Sequence, residues 1–410
     1  MKHVVQISAL ALALALSPTV SLLAADATTS TTSSSPATTR SVSPTAEAAA
    51  QKARQMIAQG AAFLLAHQNP DGSFVPAQAP VGMNALALRA VALTPGYSYS
   101  TPALKKGFDK LVSFQLESGG IYRDSLANDN TAIAISALAA GAAPELKEPM
   151  TKAVNYLKGL QWTDTIVGPK GEKIDPANPW YGGWGYGGLS RGAARPDLSN
   201  AQMALDALHD SGLKPDDPAY QAALKFVTRA QNSSETNDQP WASDDGGFVY
   251  GPGDTGKGES FAGEYTSADG KRMLRSYGSM TYAGLKSMIY AGLSKDDPRV
   301  KAAWGWVRNN WTLDENPGIS ASDPAKADYA LFYYYNTLAR ALHAYGEPAI
   351  VDNQGTKHDW RIELIDKLAS LQHPDGSWTG NKKWMEDNPI LVTSYSVLAL
   401  QEAMASLEGK

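Results

Sequence analysis

The sequence predicts an all-α fold, a closed (α/α)6 toroid of six outer and six inner helices. Three observations predict it: a short motif that recurs along the chain, two kinds of helical segment that alternate between its copies, and the apolar character of every second segment. The motif is plainest at the two ends, where Gln68-Asn69-Pro70-Asp71-Gly72-Ser73-Phe74 returns as Gln372-His373-Pro374-Asp375-Gly376-Ser377-Trp378. Shorter copies pair Gln115 with Gly119-Gly120-Ile121-Tyr122, Gln161 with Gly182-Gly183-Trp184, and Gln231 with Gly246-Gly247-Phe248. A degenerate copy has Asn310-Trp311 in the glutamine's place.

The segment before each glutamine reads as an amphipathic helix with its own start signal. Thr101-Pro102, Glu148-Pro149, Asp217-Pro218 and Asp297-Pro298 each place a cap-like residue before a proline at the first helical position. Behind each glycine pair comes a second helical run, rich in Ala, Leu, Ser and Gly and poor in charge. These runs are 84–93, 131–140, 200–208, 279–291, 329–344 and 393–405. A helix that is apolar around most of its circumference is buried on all sides. The amphipathic helices are therefore expected outside and the apolar ones inside. Closing the stack into a ring removes the two raw apolar ends that an open stack would leave.

Composition bounds the chemistry. Of 410 residues 43% are hydrophobic and 19% charged, enough apolar material for a large core. Lys plus Arg number 36 against 41 Asp plus Glu, and the net charge of -5 gives no electrostatic ground for nucleic acid or an anionic surface. The absence of cysteine excludes disulfides, thiolate metal sites and a thiol nucleophile. Residues 1–25 read as a secretory signal peptide: Lys2, an apolar run over 9–16, then small residues around Ala24-Ala25. Residues 26–45 read as a Ser/Thr/Pro-rich disordered tether, and 46–410 as the toroid. The expected location is periplasmic or secreted, with no transmembrane segment in the mature chain.

On the glutamine, glycine and aromatic pattern, the repeat resembles that of the prenyltransferase and squalene-cyclase superfamily. The resemblance covers the chain from about residue 46 and implies the terpene-cyclase type of α/α toroid. The glutamine amide is expected to bridge backbone groups at a helix end, the glycine to permit a tight reversal, and the ring to pack on the next repeat. Prenyltransferase chemistry, which the resemblance ties to a zinc held partly by cysteine, is disfavoured by the missing cysteine; no cofactor and no metal is expected. Triterpene cyclases protonate an alkene with the middle aspartate of an Asp-x-Asp-Asp stretch followed by Thr-Ala. Asn128-Asp129-Asn130-Thr131-Ala132 resembles that stretch, with Asp129 on the acid position and Ala127 and Asn130 in place of both flanking acids. The competing reading of Asp129 is an N-cap for a helix that begins at Asn130.

Two connections, 163–197 and 232–275, are much longer than helix-to-helix loops usually are, which favours a role beyond linkage. The first contributes Trp180, Tyr181, Tyr186 and Asp197 as candidate ligand-binding residues, with Arg191 and Arg195 nearby. The second contributes Asp244 and Asp245, with Tyr250 and Asp254 nearby. Tyr277, Tyr282, Tyr333 and Tyr395 belong to the later inner segments and are expected to supply aromatic walls to a central cavity. Three functions compete: a toroid that binds an isoprenoid or another apolar ligand, its cyclase chemistry weakened by the incomplete acidic motif; a non-catalytic scaffold; and a secreted carbohydrate-active lyase or hydrolase. The cavity separates them. Aromatic walls around Asp129 favour an isoprenoid, an open acidic cleft favours sugar, and a cavity filled by side chains favours a scaffold.

Overall fold

The computed structural model describes residues 44–168, 171–187, 195–253 and 257–410. The expected signal peptide, the tether as far as residue 43, and Arg191 and Asp254 lie outside the described residues. Among those described, twelve α-helices follow one another as outer and inner partners. They are α1 (Pro44–Ala66) and α2 (Val81–Ala92), α3 (Pro102–Val112) and α4 (Ala127–Gly141), α5 (Lys147–Gly159) and α6 (Leu198–Asp210), α7 (Pro218–Thr228) and α8 (Gly278–Tyr290), α9 (Pro298–Asn309) and α10 (Leu331–Tyr345), α11 (Trp360–Leu371) and α12 (Pro389–Glu408). The inner helices touch in the order α2, α4, α6, α8, α10, α12 and back to α2, and α1 packs on both α11 and α12, so both layers close as the repeat predicts. Apolar side chains from every helix join in one contiguous core. α12 is long and apolar enough to cross a membrane, but it packs between α10 and α2 as a core helix.

Each copy of the motif is a clamp between successive outer helices. Gln68 donates from Nε2 to Gly72 O and to Ala103 O in α3, both at 3.0 Å. Gln115 does the same to Gly119 O and Pro149 O, Gln161 to Gly182 O and Ala219 O, and Gln231 to Gly246 O and Arg299 O. Gln372 carries the series across the seam, donating to Gly376 O at 3.1 Å and reaching Met56 O in α1 at 3.5 Å. The first glycine sits at positive φ against the backbone of the next outer helix. A Cβ on Gly182 would lie 1.9 Å from Ala222 O, and one on Gly246 2.4 Å from Ala302 O. The residue type is thus dictated twice, by conformation and by space. The ring then drops into the core, and its backbone N–H is taken up by the inner helix: Phe248 donates to Thr281 Oγ1 at 3.0 Å and Trp378 to Thr393 Oγ1 at 3.1 Å. In the second copy Ile121 fills the ring's position and donates to Thr131 Oγ1 at 3.0 Å. The degenerate copy keeps the clamp by other means, with Trp311 Nε1 donating to Glu363 in α11 at 3.1 Å.

The structure differs from the sequence reading mainly at helix starts. α3, α7 and α9 begin at the expected prolines, whereas α5 begins two residues before Pro149, led in by a 3-10 turn over Pro144–Leu146. All inner helices but α10 begin ahead of the apolar runs, and in α2, α8 and α10 a first-turn N–H is capped across the fold by a side chain from a distant segment. Asn130 Oδ1 accepts from Gly82 N at 2.6 Å, Asn316 Oδ1 from Ser279 N at 2.9 Å, and Glu386 Oε1 from Tyr333 N at 2.8 Å. α1 begins at Pro44. The second long loop contains a short antiparallel hairpin, β1 (Glu264–Thr266) with β2 (Arg272–Leu274), and β3 (Ile350–Val351) pairs with β4 (Lys357–His358) between α10 and α11.

Candidate functional site

The first turns of α4, α6, α8 and α10, with the second turn of α12, surround a cavity of about 250 Å³ on the ring axis. Asp129, Ser199, Ser279, Tyr333 and Tyr395 reach it from these helices, with Met203 and Met280 below them. The two long loops complete the wall with Tyr186, Tyr250, Phe261 and Tyr277, and the segment before α12 covers it with Trp384 and Glu386. Helix N-termini bring partial positive charge to this end of the ring, which favours carboxylates here.

Asp129 is the third residue of α4 rather than its cap. The N-cap is Leu126, at φ 56°, so the N-cap reading of Asp129 is corrected. Its neighbours explain the missing acids of the motif. Asn130 is committed to the start of α2, and Asn128 donates to Asn200 Oδ1 at 2.9 Å in α6. The carboxyl partner comes instead from across the fold. Asp197 caps α6, accepting from Asn200 N and Asn200 Nδ2, each at 2.8 Å, and is almost fully buried. Burial, and then the charge of Asp129, push its carboxyl up to about 7, against the hydrogen bonds from Asn200 and Tyr250. Tyr250 and Tyr186, one from each long loop, join hydroxyl to hydroxyl at 2.9 Å. Glu386 is likewise buried and pushed up to about 7, although the α10 N–H groups oppose the shift. Among the described residues no three His, Asp or Glu side chains converge as metal ligands would.

Of the candidate residues, Asp129, Tyr186, Tyr277, Tyr333 and Tyr395 line the cavity, and Asp197 stands directly behind the wall. The others do not line it. Trp180 and Tyr181 belong to a separate small cluster with Trp162 and Ile174, where Trp180 Nε1 donates to Gly253 O at 3.1 Å and so ties the two long loops together. Asp244 closes a turn by accepting from Ser234 N, and Asp245 holds Ser276 Oγ at 2.7 Å. Tyr282 is buried edge-on against Tyr334 in the core. Helical geometry sorts the Tyr333-Tyr334-Tyr335 run: only Tyr333 turns to the axis, while Tyr334 and Tyr335 donate to Thr312 O and Leu313 O. Phe261, Trp384 and Glu386 escape the sequence reading. Trp384 has no place in the repeat, and that is the one signal available; it sits at φ 55° beside Met385 at φ 65°, edge-on to Phe261 at 5.3 Å.

Two expected results follow from these placements. Trp180→Ala should lower stability by about 3 kcal/mol, as the loss of a buried indole does, and leave cavity binding unchanged; thermal melts and ligand titration on one preparation check both. Asp197 binds a proton more tightly folded than unfolded, so its contribution is complete below about pH 4 and is lost as the pH rises through about 7. Asp197→Asn keeps the cap but not this titration. In urea melts, the advantage of the parent over Asp197→Asn should therefore be larger at pH 5 than at pH 8. A gap independent of pH would mean that Asp197 is ionised throughout.

A closed ring of six helix pairs with a cavity at the inner N-termini is the α/α toroid of the terpene-cyclase type. Solved structures agree on this fold. The type II terpene cyclase MstE from Scytonema, as a variant bound to its substrate geranylgeranyl dihydroxybenzoate, matches at a TM-score of 0.53 with 15% identity, over 88% of this chain and 99% of that one. Its ligand-free form matches at 0.51 with 15% identity, over 87% and 99%. No family model matches the sequence, and no curated protein matches it significantly.

Proposed function

We propose that this toroid takes an isoprenoid-class ligand into the axial cavity and that the Asp129–Asp197 pair holds one proton at its head. The observation that carries the reading is the wall itself: tyrosines, Phe261, Trp384 and two methionines around a carboxyl in the first turn of α4. Such a wall suits a bent, unsaturated chain, and the ring faces stabilise positive charge that develops on it. The solved relative MstE is a terpene cyclase crystallised with a geranylgeranyl substrate, which supports the same class of ligand. Asp197 supplies in space the carboxyl neighbour that Ala127 and Asn130 do not supply in sequence, so two like charges cannot both ionise cheaply and one proton is retained near neutral pH. The reaction this equips is protonation of a terminal alkene, ring closure as an internal alkene attacks the resulting cation, and loss of a proton from the cyclised cation, which leaves a neutral product and no net consumption of acid. A cavity with open space at its centre speaks against a pure scaffold, and a wall in which aromatic rings outnumber the two carboxyls, Asp129 and Glu386, favours an isoprenoid over sugar.

The test is incubation with polyprenyl substrates in deuterated water. The parent should bind them and incorporate deuterium into a cyclised product, whereas Asp129→Asn should bind and incorporate none. Binding without incorporation by the parent would reduce the reading to a binding protein. Binding of oligosaccharides but of no polyprenyl compound would overturn it. The reading places the toroid outside the cytoplasm, released by cleavage after Ala25 or Ala27, which N-terminal sequencing of the exported protein checks.

A further inference from the structure

Beneath the aromatic cavity the axis continues as a narrow neck of about 40 Å³. The two spaces share Met203, Tyr333 and Tyr395 as a common wall, but the neck is bounded below by Arg89, Gln202, Asp206 and Asn336. At roughly 10–15 Å³ for a water, the neck has room for a few water-sized groups and not for an isoprene branch.

Most of its polar groups are already committed. Gln202 accepts from Lys286 Nζ at 2.6 Å and donates to Tyr333 Oη at 3.0 Å, and Arg89 pairs with Asp210 at 3.3 Å. Asp206 is held by Lys286 at 2.8 Å. Besides Asp206 Oδ1, which lies 3.6 Å from Arg340 Nε without a hydrogen bond, two neutral groups remain: the amide of Asn336 and the hydroxyl of Tyr395 make no side-chain hydrogen bond to any described residue, and both face the neck. An amide on an inner helix of a toroid, one turn below an aromatic chamber and without a protein partner, is a donor and an acceptor offered to whatever occupies the axis.

We infer that Asn336 and Tyr395 form a subsite for a hydroxyl group, so that the ligand is an isoprenoid alcohol that enters with its oxygen end deepest. The inference rests on the isoprenoid reading of the cavity and names the substrate class within it. The hydroxyl accepts from Asn336 Nδ2 or from Tyr395 and donates to Asn336 Oδ1, satisfying groups that a hydrocarbon terminus would leave unpaired away from bulk water. A diphosphate does not fit a neck of about 40 Å³.

Titration with farnesol and with its deoxy analogue, in which a methyl replaces the hydroxymethyl group, tests the inference. The parent should bind the alcohol about tenfold tighter or better. Asn336→Leu and Tyr395→Phe should each bring that preference to within about twofold, with melting curves confirming that the variants are folded. Equal binding of alcohol and hydrocarbon by the parent, or a preference that survives both substitutions, would overturn the subsite while leaving the isoprenoid reading in place. Failure of the parent to bind either compound would overturn that reading and the subsite with it.

Discussion

Gly182→Ala is expected to destabilise the toroid by on the order of 3 kcal/mol or more, a large share of the roughly 5–15 kcal/mol that holds an ordinary domain folded. Two costs add. Gly182 sits at φ 86°, where an alanine is strained, and its Cβ would lie 1.9 Å from Ala222 O and 2.4 Å from the carbonyl carbon. Backbone of the next outer helix cannot yield by that much without breaking the clamp that Gln161 makes to Gly182 O and Ala219 O at 2.9 Å. Gly212 separates the two costs. At φ 83°, with no atom within 4 Å of the Cβ that alanine would add, Gly212→Ala carries the conformational strain alone and should cost about 1 kcal/mol. Denaturant melts of the two variants measure the difference, and equal losses would show that the close approach at Gly182 relaxes freely.

Arg340→Ala should cost about 3 kcal/mol at neutral pH, the penalty for taking one buried cation from two buried carboxylates that then keep Arg89 and Lys286. Arg340 is almost wholly buried on the axis, with Nη2 2.6 Å from Asp210 and Nε 3.6 Å from Asp206 and bonded to Tyr290 Oη at 2.9 Å. Lys286, fully buried beside it, is lowered to about 8 by burial, against the pull of Asp206. Burial works against ionised Asp210, yet Arg340 and Arg89 hold its carboxyl well below the usual range. Its contribution to stability is therefore present above the unfolded value of about 4 and is lost as the pH falls toward the folded one. In Arg340→Ala the same carboxylate protonates readily in acid, so the deficit of the variant should shrink from pH 7 to pH 4. A deficit that is constant with pH would show that Arg340 acts by packing alone.

These charges also mark the limit of what apolar periodicity conveys. Periodicity predicts inner helices that are poor in charge and says nothing of where their few charges go. α6, α8 and α10 carry Asp206, Lys286 and Arg340 into the centre of the ring, where they pair with one another, and Arg89 of α2 joins them through Asp210. A single charged residue in an apolar run says nothing of its partner when the partner lies 80 residues away, as Asp206 does from Lys286. The site shows the same division. Asp129 and the tyrosines at 277, 333 and 395 are legible because they stand at the heads of inner segments, and a toroid brings those heads together. Trp180 and Tyr181 are misplaced by sequence because a glycine-rich aromatic loop reads alike whether it lines a cavity or pins two loops to each other, as the bond from Trp180 to Gly253 does.

What the sequence by itself determined is the ring. Glutamine, glycine and aromatic recur at helix ends, each copy acts only on its neighbour, and such local contacts are written in local residue types. What only the tertiary structure decided is the chemistry at its centre. The carboxyl neighbour of Asp129 comes from Asp197 at the start of another helix, the caps of α2, α8 and α10 come from Asn130, Asn316 and Glu386, and the cover comes from Trp384. Closure of the ring brings these residues together from separate repeats, and the axis is the one place where residues far apart in the chain set each other's charge.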